Sequence, residues 1–207
     1  YTHSGILSSS LAMDKELSKI LFKKNKIKTP KYFLIHKNNK KNFKTKMNEK
    51  KIKFPIVIKP VNEGSSLGVY ICRNQIQFNK NYKKLDSEYS KILVEEYIPG
   101  KEIQAAVMGK KALGAIELIP KRKFYDYKAK YSARAKTKHV MPAEISKTKY
   151  NEVLSLAKKA HKSLGCKGIT RSDFRFYNNK FYLLETNTQP GMTKLSLVPE
   201  IAKYTGI

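Results

Sequence analysis

Two segments near the end of the chain carry oxygen-bearing side chains at a spacing that suits a divalent cation. In "FYLLETN", Glu185 and Asn187 lie two residues apart, so they share one face of a strand. In "GITRSDFRF", Asp173 lies on an earlier strand. Hard cations such as Mg²⁺ take carboxylate and amide oxygens as ligands. One interpretation is therefore a metal site whose ligands are Asp173, Glu185 and Asn187.

The register of the hairpin that these segments form decides whether the two acids meet. A two-residue loop, 178–179, would put Asp173 on the face opposite to Glu185. A three-residue loop, 178–180, places the two carboxylates directly across from each other and keeps the aromatic residues on the other face. We predict the three-residue loop, because asparagine tolerates the left-handed conformation that such loops need.

Two carboxylates that face each other across a strand pair need a positive charge between or beside them. A divalent cation would supply it. The alternative is a metal-free sheet face on which Arg171, Arg175 and nearby lysines balance the acids. The hairpin alone leaves both interpretations open.

A second segment, "VIKPVNEGSSLGV", has the composition of a phosphate-binding loop. Lys59 ends a strand of β-branched residues, and the loop 63–68 that follows is rich in glycine and serine. Small residues let backbone N–H groups approach phosphate oxygens, and the lysine adds a point charge. The segment matches neither a Walker A motif nor a dinucleotide fingerprint, and an ordinary turn has similar residues.

The elements that must position these residues indicate an α+β fold. An amphipathic helix near the start is followed by short strands, and longer strands with antiparallel character follow Gly100. Residues 121–142 lack periodicity, which is typical of a functional lid. A helix over 147–164 precedes the hairpin of residues 169–187. We predict two α+β lobes, residues 1–97 and 98–207.

Composition narrows the class of protein. The chain has 207 residues, is 41% hydrophobic and carries a formal net charge of +27. The charge comes mainly from lysine, which is interspersed with Asn and Ile. This mixture indicates a codon bias toward these three residues, with the lysines on a solvated surface, more than an arginine-rich patch that reads bases. No apolar run approaches a membrane span, and two cysteines suggest reduced thiols in the cytoplasm. The first residue is Tyr1, so we expect a piece of a longer protein.

Six segments in this order resemble the D-alanine–D-alanine ligase family of the ATP-grasp superfamily. They are "YTHSGILSSSLAMDKELSK", "FPIVIKPVNEGSSLGV", "ILVEEYIPGKEI", "FYDYKAKY", "GITRSDFRF" and "YLLETNTQPGMTKLSLVPE". The resemblance implies an ATP-grasp fold with the nucleotide site between the lobes. It also implies ATP-dependent joining of two D-alanines through an acyl phosphate, for peptidoglycan precursors, with two Mg²⁺ or Mn²⁺ ions.

The resemblance also assigns roles to individual residues. The ATP-binding residues would be Lys15, Lys59, Glu63, Gly64, Ser66, Glu95, Glu96, Tyr97, Ile98, Glu102, Phe124 and Lys130. The catalytic residues would be Ser65 and Tyr131, which close the site, together with Arg171 and the Gly191 backbone. Ser196 and Leu197 would contact the second D-alanine, and Asp173, Glu185 and Asn187 would be the metal ligands. A tyrosine at 131 accompanies D-alanine in this family, where D-lactate ligases tend to have phenylalanine.

The same resemblance sets further expectations and leaves two alternatives. The family's N-terminal lobe is absent, so this chain alone should bind ATP and metal but ligate poorly. Partners would be small molecules, with no nucleic acid or membrane partner, and the resemblance admits a homodimer. The alternatives are another ATP-grasp carboxylate–amine ligase and a basic nucleic-acid-binding protein, which would bind unrelated DNA with steep salt dependence.

Overall fold

The computed structural model describes residues 1–37, 39, 42–120 and 137–207. It has two compact units, a small unit of Pro30–Ile98 and a large unit formed by Tyr1–Thr29 together with Pro99–Ile207. The predicted lobe boundary lies one residue from the observed transition at 98/99. The placement of residues 1–29 in the first lobe is corrected, because Phe22 and Ile27 are buried in the core of the large unit. Within the described residues, we find no helix with the length and apolar character needed to cross a bilayer.

The secondary structure confirms the predicted mixture of helices and antiparallel strands. The described helices are α1 (Ile6–Met13), α2 (Lys15–Lys24), α3 (Phe43–Glu49), α4 (Gln75–Glu88), α5 (Lys147–Ser163) and α6 (Leu197–Tyr204). The described strands are β1 (Tyr32–His36), β2 (Ile56–Pro60), β3 (Tyr70–Cys72), β4 (Lys91–Glu96), β5 (Lys101–Met108), β6 (Lys111–Ile119), β7 (Lys138–Val140), β8 (Ile169–Tyr177) and β9 (Lys180–Asn187).

The small unit is an antiparallel sheet with α3 and α4 packed against it. Its strand order is β1-β4-β2-β3, so β2 and β4 are central. Every residue of β2 is buried, which explains why its sequence is almost continuously apolar. Phe43 of α3 stacks on Phe78 of α4, with ring centroids 3.9 Å apart, over the isoleucines of the sheet. A rigid central pair of strands therefore carries Lys59 and Glu95.

The large unit is a five-stranded antiparallel sheet of order β7-β6-β5-β8-β9. One face packs against α5 and α2 in the main apolar core. On the opposite face, α6 covers the part around Ala106 and Ile116. The rest of that face carries polar side chains from β5, β8 and β9, so the sheet separates an apolar core from a polar surface.

The β8–β9 hairpin confirms the predicted pairing of Asp173 with Glu185 but not the predicted loop. The loop has two residues, Asn178 and Asn179, whose φ angles of 46° and 60° are those a type I′ turn requires. A β-bulge follows Asp173, where Phe174 pairs with Leu183. The bulge shifts the register by one residue, so the two acids meet although the loop is shorter than predicted.

The turn gives a test of this backbone geometry. Asn179→Ala should destabilise the protein by about 1 kcal/mol. Positive φ is unfavourable for residues with a Cβ, and alanine lacks the short polar side chain that lets asparagine adopt it. Asn179→Gly should stay within about 0.5 kcal/mol of the wild type. Urea unfolding of the two variants measures the difference, and an alanine variant as stable as the glycine variant would contradict the turn assignment.

His161 gives a pH-dependent contribution to stability. It is buried on α5, with Nδ1 2.8 Å from Thr170 Oγ1, and burial lowers its pKa from the ordinary value. The unfolded chain, with a histidine pKa of about 6.5, therefore takes up the proton first as pH falls. The contribution of His161 to the free energy of unfolding should therefore decline as the pH falls from about 6.5 to the lowered pKa of the folded state.

The contribution of His161 can be isolated by substitution. Between pH 8 and pH 5.5, His161→Gln should lose less unfolding free energy than the wild type, by up to about 1 kcal/mol. His36→Gln, at an exposed strand end, serves as the matched control and should lose as much as the wild type. Equal losses in all three proteins would contradict the assignment.

Candidate active site

The polar face of the large sheet brings together side chains from three distant segments. Arg171 binds Asp173 with two hydrogen bonds, Nε to Oδ1 at 2.8 Å and Nη2 to Oδ2 at 3.0 Å. Lys15 Nζ lies 3.8 Å from Glu185 Oε2. Asn187 pairs with Arg171 in the strand register. The predicted metal ligands and two predicted cationic residues therefore lie on one face, as the sequence interpretation requires.

Lys15 reaches this face because the N-terminal helices are fixed to the hairpin side of the sheet. The Asp14 carboxylate caps α2 by accepting hydrogen bonds from two backbone N–H groups in its first turn. Ser8 donates to the Gly165 carbonyl at 2.8 Å, and Thr188 donates to Ser9 Oγ at 3.2 Å. These bonds place the buried first residue of α2 beside β9.

The donor set on this face suits a hard divalent cation. Asp173 and Glu185 are carboxylates and Asn187 contributes an amide oxygen, the ligand types that Mg²⁺ and Mn²⁺ accept while leaving other positions to water and phosphate. In the described part of the chain there is no metal-binding group of three or more His, Cys, Asp or Glu side chains. The predicted set has only two such residues. The alternative from the sequence is also partly realised, because Arg171 balances Asp173.

Glu102 and Gln104 extend the polar face onto β5. In the register of β5 with β8, Glu102 lies opposite Arg175 and Gln104 lies opposite Asp173. Gln104 is almost fully buried, and its Oε1 has no hydrogen-bond partner among the residues that the structure describes. A buried amide oxygen needs a donor, which a bound water or ligand can supply. Sequence reasoning missed Gln104 because the β5–β8 register cannot be read from the sequence.

In the small unit, two predicted nucleotide-binding residues form a buried ion pair. Lys59 Nζ lies 2.5 Å from Glu95 Oε1, and both side chains are less than a tenth exposed. The residues lie on neighbouring strands β2 and β4, one diagonal step apart in the register. The charge of Lys59 is thus held at a fixed place at the end of β2.

The segment that follows Glu95 is fixed by backbone hydrogen bonds. The Lys31 N–H donates to the Glu96 carboxylate at 2.9 Å, and the Glu96 N–H donates to the Lys31 carbonyl. The Tyr97 N–H donates to the Pro55 carbonyl, and Ile98 is buried. A rigid segment is suited to present backbone groups to a ligand, as predicted for adenine.

The loop after β2 has the strained backbone expected of a ligand-binding loop. Ser65 and Ser66 have φ angles of 51° and 61°, which are unusual for residues with a side chain. Gly68 has φ +66°, and a Cβ there would lie 2.9 Å from the Pro60 ring. Close packing of Gly68 on Pro60 therefore fixes the loop's end. Glu63 and Gly64 precede this stretch.

The segment before α6 brings Gly191 and Ser196 together. A Cβ on Gly191 would lie 2.7 Å from Ser196 Oγ, so a larger residue at 191 would require the Ser196 hydroxyl to rotate. Ser196 Oγ also accepts a hydrogen bond from the Thr193 N–H at 3.1 Å. The Leu197 side chain is buried in the α6 cluster, so a contact with substrate would come from its backbone. Phe124, Lys130 and Tyr131 lie outside the described residues.

The comparison with protein families decides the identity of the fold. The family model described as the D-Ala–D-Ala ligase C-terminus matches residues 21–207. The chain belongs to the D-alanine–D-alanine ligase family. The resemblance and the ATP-grasp fold class predicted from the sequence are thereby confirmed.

Individual members of the D-alanine–D-alanine ligase family agree with the match. A D-alanine–D-alanine ligase of Pelagibacter ubique is 62% identical over 208 residues, which cover 100% of this chain and 67% of that protein. The Bacillus anthracis ligase complexed with ATP superposes with a TM-score of 0.84 at 30% identity, covering 100% of this chain and 66% of that one.

A family member with another specificity is also similar in structure. The VanG D-Ala:D-Ser ligase of Enterococcus faecalis has a TM-score of 0.86 at 29% identity, and the match covers 100% of this chain and 61% of that one. The chain thus spans about two thirds of the length of the relatives that it matches.

Proposed function

We propose that the protein containing this chain is an ATP-dependent ligase that joins two D-alanine molecules, releasing ADP and phosphate, for peptidoglycan precursor synthesis. The observation that carries the proposal is the convergence of Lys15, Arg171, Asp173, Glu185 and Asn187 on one sheet face. Membership of the D-alanine–D-alanine ligase family supports the same reaction.

The nucleotide would be bound by lysine side chains and backbone N–H groups. Lys15 and Lys59 would contact phosphates, and the loop 63–68 would direct N–H groups to them. The Glu95–Ile98 segment would bind adenine, and Glu102 would accept hydrogen bonds from ribose hydroxyls. Phe124 and Lys130 would complete the ATP site from the predicted lid.

The first chemical step would transfer the ATP γ-phosphoryl group to the carboxylate of the first D-alanine. The γ-phosphorus–oxygen bond to ADP breaks as the carboxylate oxygen bonds to phosphorus, which gives an acyl phosphate. Two divalent cations held by Asp173, Glu185 and Asn187 would supply charge neutralisation at the phosphates. Arg171, oriented by Asp173, would stabilise negative charge on the transferring group.

The second step would form the peptide bond. The amine of the second D-alanine attacks the acyl carbon, loses a proton, and expels inorganic phosphate from a tetrahedral intermediate. The Gly191 N–H would donate to the oxyanion of that intermediate, and Ser196 with the Leu197 backbone would position the attacking amino acid. Ser65 and Tyr131 would close the site and exclude water that would hydrolyse the acyl phosphate.

Phosphate release with a panel of second substrates tests the reaction class. The full-length protein, ATP and Mg²⁺ should release phosphate with D-alanine and form the D-alanyl dipeptide, with little release for L-alanine. D-serine belongs in the panel because one similar structure is a D-Ala:D-Ser ligase, and D-lactate tests the assignment of Tyr131. Release that depends on a different carboxylate–amine pair would favour another ATP-grasp ligase.

The isolated 207-residue chain should bind ATP but ligate poorly, because it spans about two thirds of the relatives. A cytoplasmic location, a homodimer and the lack of nucleic-acid or membrane partners stay predictions. Tight DNA binding with a steep salt dependence, unchanged by Glu185→Gln, would instead favour the nucleic-acid alternative.

A further inference from the structure

Arg175 connects Glu102 to the backbone of the turn before β5. Its Nη1 donates to Glu102 Oε2 at 3.2 Å, and its Nη2 donates to the Gly100 carbonyl at 3.0 Å. Both side chains are largely buried, at 19% and 15% exposure. The Arg175 guanidinium therefore links the Glu102 carboxylate to the Gly100 carbonyl, with a different nitrogen donating to each.

The backbone acceptor belongs to a turn whose shape is sterically fixed. Gly100 has φ +90°, and a Cβ there would lie 2.2 Å from the Phe176 carbonyl oxygen. Only glycine fits that approach. The Gly100 carbonyl is thus a rigid anchor for Arg175, and through Arg175 for Glu102.

Glu102 lies on the polar face that carries the proposed phosphate and metal site. It is two residues from Gln104, which lies opposite Asp173 in the β5–β8 register. Arg175 is likewise two residues from Asp173, on the same face of β8. The Arg175–Glu102 pair therefore extends the proposed site along the strands.

A glutamate side chain has several rotatable bonds, and ordering it at the moment of binding lowers affinity for a ligand. A guanidinium that already holds the carboxylate removes part of that entropic cost, and its planar geometry also sets the direction of the carboxylate. Such a residue affects a ligand through Glu102 and need not touch it.

We propose that Arg175 is a positioning residue that orients the Glu102 carboxylate toward the ribose hydroxyls of bound ATP. This inference rests on the proposed function, since it takes ATP as the ligand. Arg175 acts on recognition of the ribose, and the phosphate-binding residues act independently of it.

Nucleotide affinities of the full-length protein test the proposal. The dissociation constant of 2′,3′-dideoxy-ATP divided by that of ATP, both measured with Mg²⁺, is a ratio that reports recognition of the ribose hydroxyls. Arg175→Met should weaken ATP binding about tenfold and leave dideoxy-ATP binding nearly unchanged, so the ratio falls toward one. In a Glu102→Gln background, Arg175→Met should change neither constant by more than about twofold, because the two residues act as one unit.

A matched control and a conservative variant exclude a general structural effect. Lys101→Met removes an ion pair between β5 and β6 on the opposite face of the sheet, where Lys101 Nζ lies 2.8 Å from Glu117 Oε2, and should leave the ratio unchanged. Should Arg175→Met fail to fold, Arg175→Lys retains the charge without the two-acceptor geometry and should lower the ratio at least about threefold.

The possible outcomes separate this inference from the proposed function. A wild-type protein that does not bind ATP would overturn both. A wild type that binds ATP, combined with an Arg175 variant of unchanged ratio, would overturn the positioning role alone. Additive effects of Arg175→Met and Glu102→Gln would also overturn it.

Discussion

Glu185→Gln is expected to lower D-alanine-dependent phosphate release by the full-length protein at least about a thousandfold. Glutamine keeps the shape of glutamate but removes the negative charge that lies 3.8 Å from Lys15 and that would hold a divalent cation. The Mg²⁺ concentration needed for half-maximal rate should rise as well. Steady-state phosphate release across a Mg²⁺ titration measures both effects.

The control for this variant is another glutamate in a salt bridge. Glu152→Gln removes a carboxylate 2.6 Å from Lys149 on α5, away from the polar face of the sheet. Its rate should match that of the wild type. A Glu185→Gln rate within tenfold of the wild-type rate would contradict the role of this carboxylate in the site.

Lys59→Met is expected to lower the unfolding free energy by about 3–5 kcal/mol, in addition to weakening ATP binding. The substitution removes the cation 2.5 Å from Glu95 and leaves that carboxylate buried on β4 without it. Denaturant unfolding, monitored on the full-length protein, measures the loss.

A second substitution distinguishes charge burial from lost packing. Adding Glu95→Leu to Lys59→Met should recover most of the stability, because the buried charge is then gone, while ATP binding should stay weak. Lys149→Met breaks a more exposed pair and should cost less than about 1 kcal/mol. A double variant as unstable as the single one would contradict the account.

The sequence predicted the elements well because their apolar periodicity is local. The strands "IVIKP" and "KILVEE" and the α5 helix have the patterns of buried strands and of an amphipathic helix, and they form as predicted. The pairing of Asp173 with Glu185 was also predicted. Its cause was not, because a β-bulge at Phe174 depends on packing that hairpin loop length does not determine.

Contacts between distant segments were the least predictable part. Nothing local in "MDKELSK" shows that α2 packs with residues 99–207, since that depends on Phe22 entering their core. The Lys59–Glu95 pair required the β2–β4 register, and Arg175 could be assigned to Glu102 only once β5 was known to pair with β8. These relations come from tertiary pairing, which a single sequence does not encode by spacing.

The most direct test is a crystal structure of the full-length protein with ADP and Mn²⁺, measured at the manganese absorption edge. Anomalous density is expected within about 2–2.5 Å of oxygens of Asp173, Glu185 and Asn187, next to the nucleotide phosphates. A nucleotide bound elsewhere, or manganese absent from this face while the nucleotide is present, would contradict this expectation.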